Sequence, residues 1–269
     1  MKSLDFEYNG ILASSKGIMP CSFDSSGQDT ISYGSKINFD TISIQNGKNF
    51  ELVNSGYDEA GEFTFQICKN PYLSINKGSK YFTTDEQLFI YRWLNRNDGF
   101  HTLKLITADN QILIFEGSFN IGAIEFCGEI IGFELTFTMR KPFATLECQT
   151  FTHTFTANEK YTIVDTSNDI GYIYPEIQIK CKSNGDLKLY NSIENRTTII
   201  KNCVSGEIIT IDGNLNITTS LSSHKLYNDF NFVFFRIANS FSNNQNIISV
   251  NIPCEITIKY YPVAKGVGL

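Results

Sequence analysis

Three histidines limit the nucleophilic chemistry open to this chain, because a serine or cysteine nucleophile needs a positioned base. His101 and His153 fall in strand-like stretches and His224 in a Ser/Lys loop, none in a plausible nucleophile context, so each reads as a structural histidine. No GxSxG, HExxH or Walker-type loop occurs. Glu125 and Glu129 share strand parity, as the two carboxylates of a glycosidase do, but two solvent-facing residues flanking Gly128 is the simpler reading. Asn95, Asn97, Asp98 and Gly99 loosely resemble a calcium loop without its ligand spacing or closing glutamate, and a helix end explains them better. Cys21, Cys68, Cys127, Cys148, Cys181, Cys203 and Cys254 form no CxxC pair and mostly sit in apolar runs, which points to buried reduced thiols rather than disulfides or zinc. No catalytic residue, metal or cofactor is expected, and the chain reads as a non-enzyme.

The elements that would have to position such groups are mostly strands. The best helix signal begins at Thr84, which can cap, with Gln87 reaching back and Asp85 and Glu86 favouring the positive end of the dipole. Phe89, Ile90, Trp93 and Leu94 repeat at helical spacing and Asn97-Asp98-Gly99 ends the run, predicting a helix over 84–97. Phe133, Leu135, Phe137 and Met139 alternate with polar residues, as do the residues of Glu62–Ile67. Phe63-Thr64-Phe65 and Leu135-Thr136-Phe137 share a wording that suggests two strands of one sheet with the same exit geometry. Asn46-Gly47 and Asp109-Asn110 mark hairpins, Phe6–Tyr8 runs as a strand into Asn9-Gly10, and 21–35 reads as a polar loop that would order only against a neighbour.

Lys141-Pro142 closes this half, and beyond Cys148 the pattern becomes about ten short strands, Ile173–Lys180 and Phe232–Ile237 among them, with turn dipeptides Asn184-Gly185 and Asp212-Gly213 and no helix signal. The expected fold is therefore mainly β with one short helix: an N-terminal α+β antiparallel-sheet domain over 1–145, then a β-sandwich over 146–269. Phe230, Phe232, Phe234 and Phe235 mix parities within one expected strand, which suggests core rather than a sugar-binding face.

Composition narrows the partners. The 22 basic residues are scattered under a net charge of -6, leaving no stripe to neutralise a phosphate backbone, so nucleic acid is not expected. The first twenty residues lack an apolar signal region and no later run approaches the ~20 residues of a membrane helix, so a soluble chain made in the cytoplasm is expected, without membrane insertion, and the sequons at Asn195 and Asn216 read as chance. Low charge, long polar loops and absent site chemistry suit a building block of an assembly, in which neighbouring copies would bury strand edges.

Taken in order, Phe6-Glu7-Tyr8-Asn9-Gly10, Arg92-Trp93-Leu94, the strand from Gly99 to Leu105, Phe133–Phe137 running to Lys141-Pro142-Phe143, Tyr174-Pro175-Glu176-Ile177 and Gly206–Asp212 resemble the distal tail proteins of long-tailed phages over nearly the whole chain. That resemblance implies a virion protein of the tail tip whose N-terminal domain forms a homohexameric ring and whose C-terminal domain is a galectin-like sandwich. It also implies partners: the major tail tube protein, a tail-tip or tail-associated lysin protein, and receptor-binding proteins. Larger relatives carry inserted carbohydrate-binding modules, for which this chain has no room. A carbohydrate-binding protein using the second sandwich for host attachment is the alternative, with a glycosidase built on Glu125 and Glu129 third. If a ring forms, the loop 21–35 and a turn at Asn54, Ser55, Gly56 and Tyr57 are the expected subunit or tube contacts, since their polarity and glycine suit wet interfaces.

Overall fold

A computed structural model describes residues 3–23, 35–44, 47–57, 60–72 and 80–265, which fall into two compact units, Met1–Leu146 with Ala264–Leu269, and Glu147–Val263. The first unit contains β1 (Ser3–Tyr8), β2 (Ile11–Leu12), β3 (Ile18–Cys21), β4 (Ile37–Ser43), β5 (Phe50–Tyr57), β6 (Glu62–Lys69), helix α1 (Thr84–Leu94), β7 (His101–Thr107), β8 (Ile112–Phe126), β9 (Glu129–Met139) and β10 (Ala144–Thr145). Its main sheet runs β2-β1-β7-β8-β9-β6-β3, antiparallel throughout, with β10 beside β8; β4 and β5 form a separate ribbon. Asn9 and Gly10 (φ 49° and 78°) close β1 onto β2, and Cys127 and Gly128 (φ 54° and 82°) close β8 onto β9, left-handed pairs whose twist matches the strands they join.

The repeated wording has a direct structural meaning. Phe63 pairs with Phe137, Thr64 with Thr136 and Phe65 with Leu135, and the two threonine hydroxyls lie 3.1 Å apart. Because β6 and β9 are antiparallel they leave the sheet at opposite ends, so the shared exit geometry expected of them is replaced by a cross-strand match that puts rings on the core face and hydroxyls on the other.

Helix α1 begins one residue earlier in its capping than Thr84 and Gln87 suggest. Thr83 accepts from the Glu86 N–H at 3.4 Å while Glu86 accepts from the Thr83 N–H at 2.7 Å, completing a capping box. Glu86 also takes the Lys69 ammonium at 2.7 Å, and Gln87 donates instead to the Phe82 carbonyl at 2.8 Å. The helix stops at Leu94, short of residue 97, since Asn95 leaves helical geometry as the C-cap. Its buried side, Ile90, Trp93 and Leu94, covers the sheet. Trp93 lies flat on Phe6 (centroids 5.6 Å apart, 7° between planes) and donates its Nε1–H to the Tyr8 carbonyl at 2.9 Å.

The second unit contains β11 (Gln149–Phe155), β12 (Lys160–Val164), β13 (Gly171–Ile173), β14 (Glu176–Cys181), β15 (Gly185–Asn191), β16 (Arg196–Cys203), β17 (Ile208–Ile211), β18 (Ile217–Thr219), a single helical turn α2 (Leu226–Asp229), β19 (Ile237–Asn239), β20 (Gln245–Val250) and β21 (Cys254–Tyr260); β22 (Val263–Ala264) then pairs with β10. The sheets β11-β21-β14-β17-β18 and β12-β20-β15-β16 share one apolar core, Ile177, Ile179 and Ile256 from one with Leu187, Leu189 and Ile248 from the other, a β-sandwich. Three expectations are corrected here. The strand expected over Ile173–Lys180 breaks at Tyr174-Pro175, where proline removes a donor and restricts its predecessor. The strand expected over Phe232–Ile237 shrinks to β19, because Phe232 is left-handed (φ 55°) and exposed rather than core. The helical turn α2, where no helix was expected, is closed by the Phe230 N–H returning to the Leu226 carbonyl at 2.8 Å. Among the described residues no helix is long and apolar enough to cross a membrane.

Trp93→Ala is expected to destabilise the first unit by about 3–5 kcal/mol through the cavity it leaves. Trp93→Phe, which keeps a ring but strands the Tyr8 carbonyl, should cost about 1–3 kcal/mol. Urea titration followed by circular dichroism measures both; an unchanged midpoint in Trp93→Phe would show that the indole N–H contributes nothing.

Candidate functional site

The chemistry weighed from sequence disperses in three dimensions. Glu125 and Glu129 are not on one strand: they sit on β8 and β9 across the Cys127-Gly128 turn, opposite Ile130 and Phe126 respectively, and both point into solvent. Asp98 binds Arg96 and the His101 Nε2 (2.9 Å), partners that hold its carboxyl well below the usual range, and Asn95 serves as the helix cap. His153 lies on β11, hydrogen-bonded to Glu159 at 2.8 Å and stacked on Tyr161 at 4.3 Å. A shallow hollow beside β13 is lined by Asp165, Ser167, Tyr172 and Asn239, but Asp165 spends its oxygens on the Ser167 N–H and hydroxyl and on the Asn239 amide. Among the described residues no three His, Cys, Asp or Glu side chains are grouped to hold a metal ion.

His224 is the residue that sequence reasoning understated. Its surroundings of Ser and Lys suggested an open loop, yet its ring is buried, with Nδ1 2.6 Å from Glu207 Oε1 and Nε2 3.5 Å from Asp229 Oδ2. Glu207 precedes β17, is buried itself, and also accepts from the Thr219 hydroxyl (2.5 Å) and the Val204 N–H (3.0 Å). Burial opposes the imidazolium, but the hydrogen bond and charge of Glu207, helped by Asp229, raise the His224 pKa above its ordinary 6.5. Burial likewise penalises the Glu207 carboxylate, and its donors Thr219, His224 and Val204 outweigh that and lower its pKa. The arrangement is an ionic clasp tying the 220–229 segment to β17 and β18.

The feature that calls for a partner is the β4–β5 ribbon. Asn54, Ser55, Gly56 and Tyr57 are not a turn but the second half of β5, paired with Asp40, Phe39, Asn38 and Ile37. A bulge leaves Val53 without an opposite residue, and its extra step brings Tyr57 back to the face that carries Phe50 and Leu52. From the register, that face carries Ile37, Phe39, Phe50, Leu52 and Tyr57 together with Thr41, Ser43 and Ser55, while Asn38, Asp40, Ile42, Glu51 and Asn54 share the other. The ribbon is amphipathic, yet Phe39, Phe50 and Leu52 are 59%, 74% and 59% exposed. Among the described residues its cover lies at the base, where Tyr57 packs edge-on against Phe143 at 4.9 Å and the Lys265 ammonium lies 5.1 Å from the Phe143 ring. Of the loop 21–35, residues 24–34 lie outside the described set, as does Asn46 of the Asn46-Gly47 turn. The signal for the ribbon was present in sequence, since Phe50-Glu51-Leu52 and Ile37-Asn38-Phe39-Asp40 alternate; what sequence did not give was that the apolar side stays bare.

An antiparallel sheet covered by one helix and bearing an exposed apolar ribbon, followed in the chain by a β-sandwich, defines a mainly β protein of two units. The chain belongs to a family of phage tail proteins: residues 1–140 match the profile described as a phage tail protein N-terminal domain and residues 143–260 that of a phage tail C-terminal domain. Its fold is that of a distal tail protein. It is similar, at 11% identity and a TM-score of 0.65, to the solved structure titled "SPP1 Dit (gp 19.1) Protein, a Paradigm of Hub Adsorption Apparatus in Gram-positive Infecting Phages", over 97% of this chain and 99% of that one. No curated protein sequence matches it.

The clasp makes the second unit's stability depend on pH in a defined direction. The raised His224 pKa contributes stability that is fully present below 6.5 and is lost as pH rises through the folded-state value; the lowered Glu207 pKa contributes stability present above 4.5 and lost as pH falls through its own. Urea midpoints of the second unit should therefore fall as pH rises above 6.5 in the native chain, and His224→Asn should flatten that alkaline limb. An unchanged alkaline limb in the variant would assign the dependence to another group.

Proposed function

We propose that this protein is the distal hub of a phage tail: a homohexameric ring built by the first unit, joining the major tail tube protein to a tail-tip or tail-associated lysin protein. In this reading the second unit carries receptor-binding proteins, and no reaction is catalysed. The protein acts in the virion at the tail tip after synthesis in the host cytoplasm, without nucleic acid as a ligand and without insertion into a membrane.

One observation carries the reading: the bare apolar face of the β4–β5 ribbon. A two-stranded ribbon is marginal alone in water, and one whose large side chains stay exposed gains its stability from whatever covers it. The main sheet offers a neighbour little else, since β2 is two residues long and β3 is four with Pro20 among them, the devices that keep sheet edges from pairing. The seven- and eight-residue strands of the ribbon are the long unprotected edges among the described residues of this unit. A ring supplies each copy with a neighbour for that ribbon, and Asn54, Ser55, Gly56 and Tyr57 would lie within the contact.

A second reading, glycan binding by the second unit, draws support from Tyr227 and Phe232, which are 82% and 56% exposed with their rings 5.7 Å apart. A glycan array separates the two: the hub reading expects no specific binder, and a reproducible hit lost in Tyr227→Ala would favour the second.

The wild-type protein is expected to give a hexamer by light scattering and a ring by negative-stain microscopy. The double variant Phe39→Asp and Leu52→Asp should remain folded by circular dichroism yet run as a monomer, because two charges would be buried in the contact. A monodisperse wild-type monomer at high concentration, or a ring unaffected by the double variant, would overturn the ribbon's role.

A further inference from the structure

Two cysteines face each other across neighbouring strands in the five-stranded sheet of the second unit. Along β14 and β21 the side chains turned into the sandwich pair like with like: Ile177 stands opposite Ile258, Ile179 opposite Ile256 and then Cys181 opposite Cys254, the last two 1% and 0% exposed. The backbone hydrogen bonds around the cysteines define the kind of pair they make. The Cys181 N–H points away from β21 and donates to the Glu207 carbonyl at 2.9 Å, while the next residue, Lys182, turns back and donates to the Pro253 carbonyl at 3.0 Å. Cys181 and Cys254 are therefore a non-hydrogen-bonded antiparallel pair, whose α-carbons lie about 4.5 Å apart with the side chains drawn together on one face. A disulfide spans α-carbons about 4.4–6.8 Å apart, so the register itself meets the backbone requirement for one. Cys203, the third buried thiol of this core, ends β16 in the facing sheet and donates its Sγ–H to the Ile200 carbonyl at 3.3 Å, a bond within its own strand.

We propose that Cys181 and Cys254 close to a cross-strand disulfide when the folded protein meets a low-molecular-weight disulfide such as oxidised glutathione. One cysteine, as thiolate, attacks a glutathione sulfur, forming a mixed disulfide and expelling one glutathione thiolate, which takes up the proton that the cysteine lost. The other cysteine gives up its proton and attacks the protein-bound sulfur; the Cys181–Cys254 bond forms, and the second glutathione leaves and is protonated. Two electrons and two protons thus pass from the cysteines to one oxidised glutathione, giving two reduced molecules. Burial pushes the Cys254 thiol up to about 12, so it stays protonated until the strand ends open, and closure is slower than glutathionylation of the exposed Cys127 and Cys148. The pair sits where such opening is least demanding, since Cys181 is the last residue of β14 and Cys254 the first of β21. Once formed, the bond closes a loop that holds every strand from β15 to β20, and that constraint on the unfolded chain stabilises the second unit. The chemistry is independent of the tail-hub reading; only its occasion, passage from a reducing cytoplasm to an oxidising medium, rests on that reading.

The test equilibrates the native full-length protein with reduced and oxidised glutathione, blocks the remaining thiols with an alkylating agent, and maps linked peptides by mass spectrometry in wild type, Cys203→Ser and Cys254→Ser. A Cys181–Cys254 link is expected in wild type and in Cys203→Ser but not in Cys254→Ser, with a thermal midpoint of the second unit at least about 5 °C higher than in the reduced protein, a rise that dithiothreitol reverses. A link from Cys203 to either cysteine in its place, a link that forms only in urea, no link once Cys127 and Cys148 are fully glutathionylated, or a link that leaves the midpoint unmoved would each overturn the proposal. The mapping on wild type decides the pairing even where a variant fails to fold, and a protein that forms no rings can still give or refuse the link.

Discussion

A strand at the rim of a sheet exposes a row of N–H and C=O groups that must be paired, shortened or plugged, and this protein meets that requirement differently at each rim. In the first unit β2 is cut to two residues and β3 carries a proline. In the second unit β18 is three residues long, and the outer rim of β16 is sealed by a side chain: Asn231 accepts from the Ile199 N–H at 3.1 Å and donates to the Thr197 carbonyl at 3.0 Å, imitating a neighbouring strand with one amide. That seal holds Phe232 in its left-handed conformation and turns its ring outward. Against this background the β4–β5 ribbon stands apart, long, apolar on one face and neither shortened nor plugged.

The contrast orders the functional reading. Where polar side chains cluster, they are spent on each other: Asp98 on Arg96 and His101, Asp165 on its own loop, His224 on Glu207 and Asp229. Such clusters fasten loops. Apolar surface, by contrast, is left unspent on the ribbon. An apolar strand face left open in this way is suited to meeting another protein surface.

Much of the architecture was legible in the residues. Period-two alternation located β6 and β9, Asp109-Asn110 located the β7–β8 hairpin, and Asn9-Gly10 located the turn after β1, because these are local rules set by pleat and turn geometry. The helix was found but mis-capped, since Thr83 and Thr84 are equivalent until Lys69, distant in sequence, draws Glu86 to one of them. The turn Cys127-Gly128 carried only half of its usual dipeptide, and the strand reading of 232–237 failed because Asn231 diverts the chain by a tertiary contact. The partner-seeking surface was the least legible part. Alternation shows that a strand has an apolar side but not whether its own chain covers that side. The buried state of His224 was hidden for the same reason, as its carboxylate partner lies 17 residues away.

The placement of Trp93 has an optical consequence. It is the single indole of the chain, stacked on Phe6 and hydrogen-bonded to a carbonyl of the first unit. Emission excited at the red edge of the aromatic band therefore originates wholly in that unit, whereas the second unit is lit only by tyrosine. The protein thus carries a built-in label by which melting of one half can be watched while the other is dark.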